Sequence, residues 1–185
     1  MKHSDLRSSG LSCLVSHAEA LADPAVISVL AFLHVASAIA WLGGVVFFIT
    51  TVGPGLRSFT PQASLEYLTK VGPRQVRFFL GAATATIVFG LALLFATFGS
   101  DYASWPASIE VGFGLGFVAY LIAVLVAVPT FIKIERIAHQ IMGNPQAGPP
   151  PEFGKYLKRS NQAALSVAII LILTTIFMVG TAFPY

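Results

Sequence analysis

The chain has 185 residues, of which 56% are hydrophobic and only 10% are charged, and its mean hydropathy is +0.79. An average soluble domain carries about 25% charged residues, so this composition excludes a soluble globular protein and indicates an integral membrane protein. The formal charge of +3 comes from basic residues in loops between apolar segments, where membrane orientation accounts for them and nucleic-acid binding is not expected. The single cysteine, Cys13, excludes an intrachain disulfide and a paired-cysteine metal or redox motif.

Residues 1–23 form a polar segment ahead of the first apolar run. Lys2 and Arg7 give it a basic start, and Ala18–Ala22 resembles a small-residue cleavage site. The stretch between them is too short and too polar for a signal peptide. We interpret 1–23 as a polar or interfacial lead-in, which leaves residues 24–185 as the membrane domain.

Four apolar segments are each long enough to cross a hydrocarbon core of about 30 Å at about 1.5 Å per helical residue. They predict spans over about 25–52, 78–98, 111–134 and 162–183. The predicted fold is therefore all-α, a four-helix transmembrane bundle. Each half consists of a span, a proline-containing exit, a basic loop and a second span, which fits two parallel helix-hairpin repeats. The alternative is that any four-span protein shows these features at its cytoplasmic ends.

Smaller features predict local structure in these segments. The first connection is expected to hold one short helix over 62–71, and the third span is expected to bend or end near Pro129. Small and hydroxyl-bearing residues in the second span would let helices approach closely; they are Gly81, Thr84, Thr86 and Gly90.

The charges of the connections predict the orientation in the membrane. Nine of the eleven Lys and Arg residues lie in or beside the first and third connections, and none lies in the second, Gly99–Glu110. The positive-inside rule then places the two basic connections in the cytoplasm and both termini on the outer side of a plasma (inner) membrane. Five of these cations are expected to bind lipid phosphates, with pairing to porphyrin propionates as a minor role: Arg57, Arg74, Arg77, Lys158 and Arg159.

His34 is an ionisable side chain inside the first span, and such a residue is a candidate for function. An imidazole there can ligate haem iron or copper with one nitrogen while the other donates a hydrogen bond. The alternative is an interhelical hydrogen bond without a cofactor, for which Ser37 and Tyr120 are the candidate partners. Trp41 shares the helix face of His34.

A second ligand is expected at the same depth as His34. The fourth span runs outward, so Met178 reaches a similar level and is the candidate for an axial haem pair or a soft copper site with His34. Its alternative role is that of a core filler. His139 lies at the cytoplasmic side and is interpreted as a surface or headgroup-level histidine; the alternative is binding of a haem propionate or a metal at the inner face.

The stretch Leu33–Arg57 resembles the first helix of copper-resistance D-type (CopD-like) membrane domains, in which a His precedes a Trp-x-Gly-Gly motif, aromatic residues and a proline-containing exit. The matching positions are His34, Trp41, Gly43, Gly44, Phe47, Phe48, Pro54 and Leu56. The chain is less similar to HemJ-type protoporphyrinogen oxidases, which carry a further His that is missing here. The resemblance covers about the first two spans and implies copper or haem handling with His34 as a ligand.

The leading hypothesis is a CopD-like membrane protein that binds copper or b-type haem through His34, in metal handling or membrane electron transfer. Its expected partners are the lipid bilayer and either other membrane subunits or a second copy of the chain. A cofactor-free structural or assembly subunit is the second hypothesis, and a porphyrin-oxidising enzyme is the third. No catalytic residue is predicted, because the sequence lacks hydrolase, zinc-protease and nucleotide-binding motifs.

Reporter fusions at the C-terminus test the orientation. We expect alkaline phosphatase fused after Tyr185 to be active, because it folds through disulfides that form outside the cytoplasm. A reporter that works only in the cytoplasm should be inactive at the same position. An active cytoplasmic reporter there would contradict the orientation.

Overall fold

The computed structural model describes residues 23–100 and 105–180 of the chain. These residues form four long helices and no strand: α1 (Pro24–Ser58), α2 (Pro61–Phe98), α3 (Ala107–Gly143) and α4 (Pro151–Gly180). All four are long and apolar enough to cross a membrane, which confirms the predicted four-helix transmembrane bundle. The predicted N-terminal segment, apart from Asp23, and the end of the predicted fourth span, 181–183, lie outside the described residues.

Proline residues and side-chain caps determine where the helices begin. α1, α2 and α4 each start with a proline, whose missing N–H is not needed in a first turn. An Asp23 carboxylate oxygen accepts a hydrogen bond from the N–H of Ala25 at 2.8 Å. The Thr60 hydroxyl accepts one from the N–H of Ala63 at 3.3 Å. These caps satisfy N–H groups that have no partner within the helix.

Three π-helical turns widen the helices, and each lies at the same distance before a proline. They are Phe48–Val52 before Pro54, Tyr67–Val71 before Pro73, and Ala123–Ala127 before Pro129. In each turn, the N–H of the residue before the proline donates to the carbonyl five residues back. A proline lacks an N–H and crowds the carbonyl four residues earlier, so the wider turn lets the helix continue.

This feature corrects one local prediction. α3 passes through its π turn and Pro129 and continues to Gly143 as an amphipathic helix. The short helix predicted over 62–71 is continuous with the second span, because the π turn at Tyr67–Val71 joins the two parts of α2.

The bundle is built from two helix hairpins. α1 packs against α2, and α3 packs against α4, while the hairpins meet through contacts of α1 with α4 and of α2 with α3. Trp41 is the largest side chain of the central core and is only 2% exposed. Ala83 and Ala119 are fully buried beside it, and such small residues let helices approach closely in lipid.

The outer surface of the helices is apolar. Phe32, Ile39, Leu125 and Ile176 are each more than 60% exposed. This surface belongs against acyl chains, because in water so large an apolar area would drive association. The protein is therefore a multi-pass membrane protein.

Charge is concentrated at one end of the bundle. The nine Lys and Arg residues in the described part of the chain lie within 57–77 and 133–159. A second core cluster of Leu68, Ile134 and Ala138 joins α2 and α3 at this level, with Phe153 and Tyr156 of α4 packed against it. We call this part of the bundle the basic end.

Gly44 is a point where α1 and α2 touch. A Cβ on Gly44 would lie 2.5 Å from Cε1 of Phe79, whereas a Cβ on the adjacent Gly43 would meet nothing within 4 Å.

We expect Gly44→Leu to lower the free energy of unfolding by about 1–3 kcal/mol through overpacking. Gly43→Leu is the matched control and should be neutral or stabilising. Thermal unfolding in detergent measures both, and equal destabilisation by the two variants would contradict this packing.

Candidate functional site

The His34 ring lies between α1 and α2. Its Nδ1 is 2.9 Å from the backbone carbonyl oxygen of Thr86. One turn further along α2, a Cβ on Gly90 would lie 2.8 Å from Cε1 and 2.9 Å from Nδ1 of the imidazole. The missing side chain of Gly90 therefore makes the space that the ring occupies.

The two side chains predicted to bond His34 have other partners. The Ser37 hydroxyl donates to the Leu33 carbonyl and lies 3.4 Å from the His34 backbone carbonyl oxygen. The Tyr120 hydroxyl is 3.3 Å from the Thr84 hydroxyl. The predicted partners were wrong because the acceptor is a backbone carbonyl, which is present at every residue and leaves no signature in the sequence.

The hydrogen bond determines which nitrogen of a neutral His34 carries the proton. A carbonyl oxygen only accepts, so Nδ1–H is the donor and Nε2 keeps a lone pair. Within the described residues, no hydrogen bond uses Nε2. Metal-ligating histidines typically have this arrangement, in which one nitrogen donates to a carbonyl and the other binds the metal.

His34 borders a cavity of about 530 Å³ that is lined by residues of all four helices. This volume is within the range of about 300–1,000 Å³ that is typical of small-molecule sites. Of the residues that the structure describes, His34 is the only ionisable one in this lining. Four threonines also line it, and their hydroxyls donate to carbonyls of their own helices at 2.8–2.9 Å; they are Thr86, Thr97, Thr174 and Thr175. We call this space the His34 cavity.

Met178 borders the His34 cavity from α4. A Cβ on Gly112 of α3 would lie 2.8 Å from Cγ of Met178. The two candidate ligands thus come from different hairpins, and each packs over a glycine of its partner helix: His34 over Gly90 and Met178 over Gly112. Trp41 lines the same cavity, whereas Ser37 and Tyr120 are not among the lining residues.

Trp41 also borders a second, smaller cavity of about 90 Å³, which extends toward the basic end. Because the indole lines both spaces and is almost fully buried, it forms the wall between them. Helical periodicity predicted that Trp41 shares a helix face with His34. Its position between the two cavities depends on the other helices, which supply the remaining walls.

The remaining candidate residues lie away from the His34 cavity. His139 is exposed at the basic end. None of the five cations considered as propionate partners is among the described residues that line the cavity. Their pairing with porphyrin propionates stays a prediction. In the described part of the chain, no three His, Cys, Asp or Glu residues form a group that could hold a metal ion.

Comparison with known proteins assigns no family. The chain matches no protein-family model, and no curated protein and no solved structure is similar enough to count as a match. The resemblance of Leu33–Arg57 to CopD-like proteins therefore stays a prediction.

Gly90→Ala tests whether the His34 ring occupies the space beside Gly90. The added methyl group would displace the ring from the Thr86 carbonyl, so we expect a loss of about 1–3 kcal/mol in the free energy of unfolding. Gly81→Ala on the same helix is the control, because a Cβ there meets nothing within 4 Å.

Nitrogen-15 NMR of histidine-labelled protein gives a second measurement, in which the His34→Ala spectrum assigns the His34 signals. The wild type should show the tautomer protonated at Nδ1, and Gly90→Ala should lose it. A spectrum unchanged by Gly90→Ala would contradict the proposed contact.

Proposed function

We propose that this protein binds a b-type haem in the His34 cavity and transfers electrons in the membrane, as a subunit of a larger assembly. The observation that carries the proposal is an imidazole held through Nδ1 beside an apolar cavity of about 530 Å³. A bundle that used His34 only to join two helices would have no need of a cavity on this scale.

The lining residues fit the demands of this cofactor. A porphyrin supplies four nitrogen ligands, so the protein has to add only axial ligands, and His and Met are both known in that role. His34 and Met178 line the cavity from different hairpins, and the apolar walls suit the macrocycle. When bound, the haem iron accepts and donates single electrons, and its surroundings and axial ligands set the potential.

Several residues of the chain position the candidate ligands and shape the cavity without a cofactor. The Thr86 carbonyl orients the imidazole and leaves Nε2 as the ligand nitrogen. Gly90 and Gly112 provide room for His34 and Met178, and Trp41 closes the cavity toward the basic end. Within the described residues no Lys or Arg lines the cavity, and the lining reaches Thr97 near the end of α2.

Copper(I) is the second candidate, and two observations favour it. The imidazole and thioether pair is a soft donor set that suits copper(I). The lining also lacks a cation for propionates. Copper binding in metal handling is what the resemblance of Leu33–Arg57 to CopD-like domains implies. The size of the cavity favours haem, because a single ion needs far less space.

The absorption spectrum and metal content of the protein purified in detergent test the proposal. We expect a Soret band in the wild type and its loss in His34→Ala, with haem affinity reduced by more than about 100-fold when the ligand is removed. Met178→Leu should retain haem but shift the spectrum, because one axial ligand changes. His139→Ala is the matched control and should leave the spectrum unchanged.

Two results would contradict haem binding. Stoichiometric copper without a Soret band, lost in His34→Ala, would favour the metal-handling function. If the protein expressed with haem and copper supplied carried neither, and His34→Ala only lowered its stability, His34 would serve as an interhelical hydrogen-bonding residue.

A further inference from the structure

A separate cavity of about 330 Å³ lies at the basic end, and it shares no lining residue with the His34 cavity. All four helices contribute to its lining. Its walls are largely apolar and include Leu56, Leu65, Leu68, Ile134, Phe153 and Leu157. Such walls bind hydrocarbon, because burying apolar area stabilises by about 25 cal/mol per Å².

The lining of this cavity also includes polar residues. Arg57 and Asn161, which are exposed, and the half-buried Ser160 line it, and none of the three side chains makes a hydrogen bond or ion pair within the described residues. Ser64 also lines it, but its hydroxyl donates to the Leu56 carbonyl at 2.8 Å. Among the described residues, Arg57 is the only charged one of the lining, and no carboxylate accompanies it there. The cavity thus offers several donors to an anion.

The basic end around this cavity carries an excess of positive charge. The ranges 57–77 and 133–159 contain nine Lys and Arg residues but only three acids, Glu66, Glu135 and Glu152. Glu66 is already paired with Lys70, at 3.3 Å. Basic pockets between membrane helices at this level attract anionic lipid headgroups.

We propose that the basic-end cavity binds an anionic phospholipid, with an acyl chain between the apolar walls and the phosphate on Arg57. A guanidinium can donate two parallel hydrogen bonds to phosphate oxygens, and the Asn161 amide and Ser160 hydroxyl supply further donors. A zwitterionic phospholipid carries the same phosphate, but its choline cation would lie among the basic residues of this end and oppose binding. A small soluble anion would leave the apolar walls unoccupied.

Native mass spectrometry of the full chain in neutral detergent tests this site. The ligands to titrate are phosphatidylglycerol, phosphatidylcholine, oleate and inorganic phosphate. We expect phosphatidylglycerol to bind about five- to tenfold more tightly than phosphatidylcholine, as one well-placed cation contributes about 1 kcal/mol or more. Oleate should bind more weakly than phosphatidylglycerol, and phosphate alone should not bind.

Arg57→Gln should lower the affinity for phosphatidylglycerol about five- to tenfold and the affinity for phosphatidylcholine by a smaller factor, so that the preference for phosphatidylglycerol is reduced. Arg136→Gln is the matched control, because Arg136 is an exposed cation of the basic end that does not line the cavity. Its effect should stay within about twofold. Equal losses in the two variants would show a diffuse charge effect and overturn the proposal.

A second pair of variants tests whether the apolar walls of the cavity bind an acyl chain. Leu157 lines the cavity and is 39% exposed, so Leu157→Trp can fill the space without entering the core. It should weaken the binding of phosphatidylglycerol and oleate alike. Leu165→Trp, at a site on the same helix that is 47% exposed and outside this lining, is the control. Tighter binding of oleate than of phosphatidylglycerol, or unchanged binding in Leu157→Trp, would overturn the proposal.

Discussion

The contact between His34 and the Thr86 carbonyl connects the chemistry of this protein to its packing. An imidazole inside a membrane needs a hydrogen-bond partner, because an unsatisfied polar group in hydrocarbon costs several kcal/mol. The bond is possible only because Gly90 has no side chain on the face that receives the ring. Hydrogen bonds between membrane helices are worth only about 0.6–2 kcal/mol, so the main effect is to set the register of α1 on α2 and the orientation of the ring.

The same principle operates in the second hairpin. Met178 packs over Gly112 as His34 packs over Gly90, so each hairpin brings one candidate ligand to the common cavity. The π turns add a further shared feature, since the prolines of α1, α2 and α3 all follow a π turn by the same distance. Residues of two of these turns, Phe48 and Ala123, line the small cavity on the far side of Trp41. Two of the three π turns therefore lie beside a cavity between the helices.

The His34 cavity and the basic-end cavity differ in chemistry because the charges of the chain are segregated. Among the described residues, no Lys, Arg, Asp or Glu lines the His34 cavity, which suits an apolar cofactor held by coordination. The basic-end cavity combines apolar walls with Arg57 and suits an amphiphile with an anionic head. If both proposals hold, one four-helix bundle provides a coordination site within the membrane and a lipid site near its surface, and Trp41 lies between the His34 cavity and the basic end.

The sequence by itself determined the all-α class and the four spans and made His34 a candidate for function, because hydropathy, length and one ionisable residue in an apolar run are local properties. It also pointed to Met178 and Trp41, because antiparallel spans and helical periodicity place residues by depth and face. Only the tertiary structure decided the partner of His34, since a backbone carbonyl carries no sequence signal and its accessibility depends on a glycine 56 residues away along the chain. The cavities, the continuity of the helices through their prolines and the separation of the cations from His34 likewise arise from packing between helices distant in sequence.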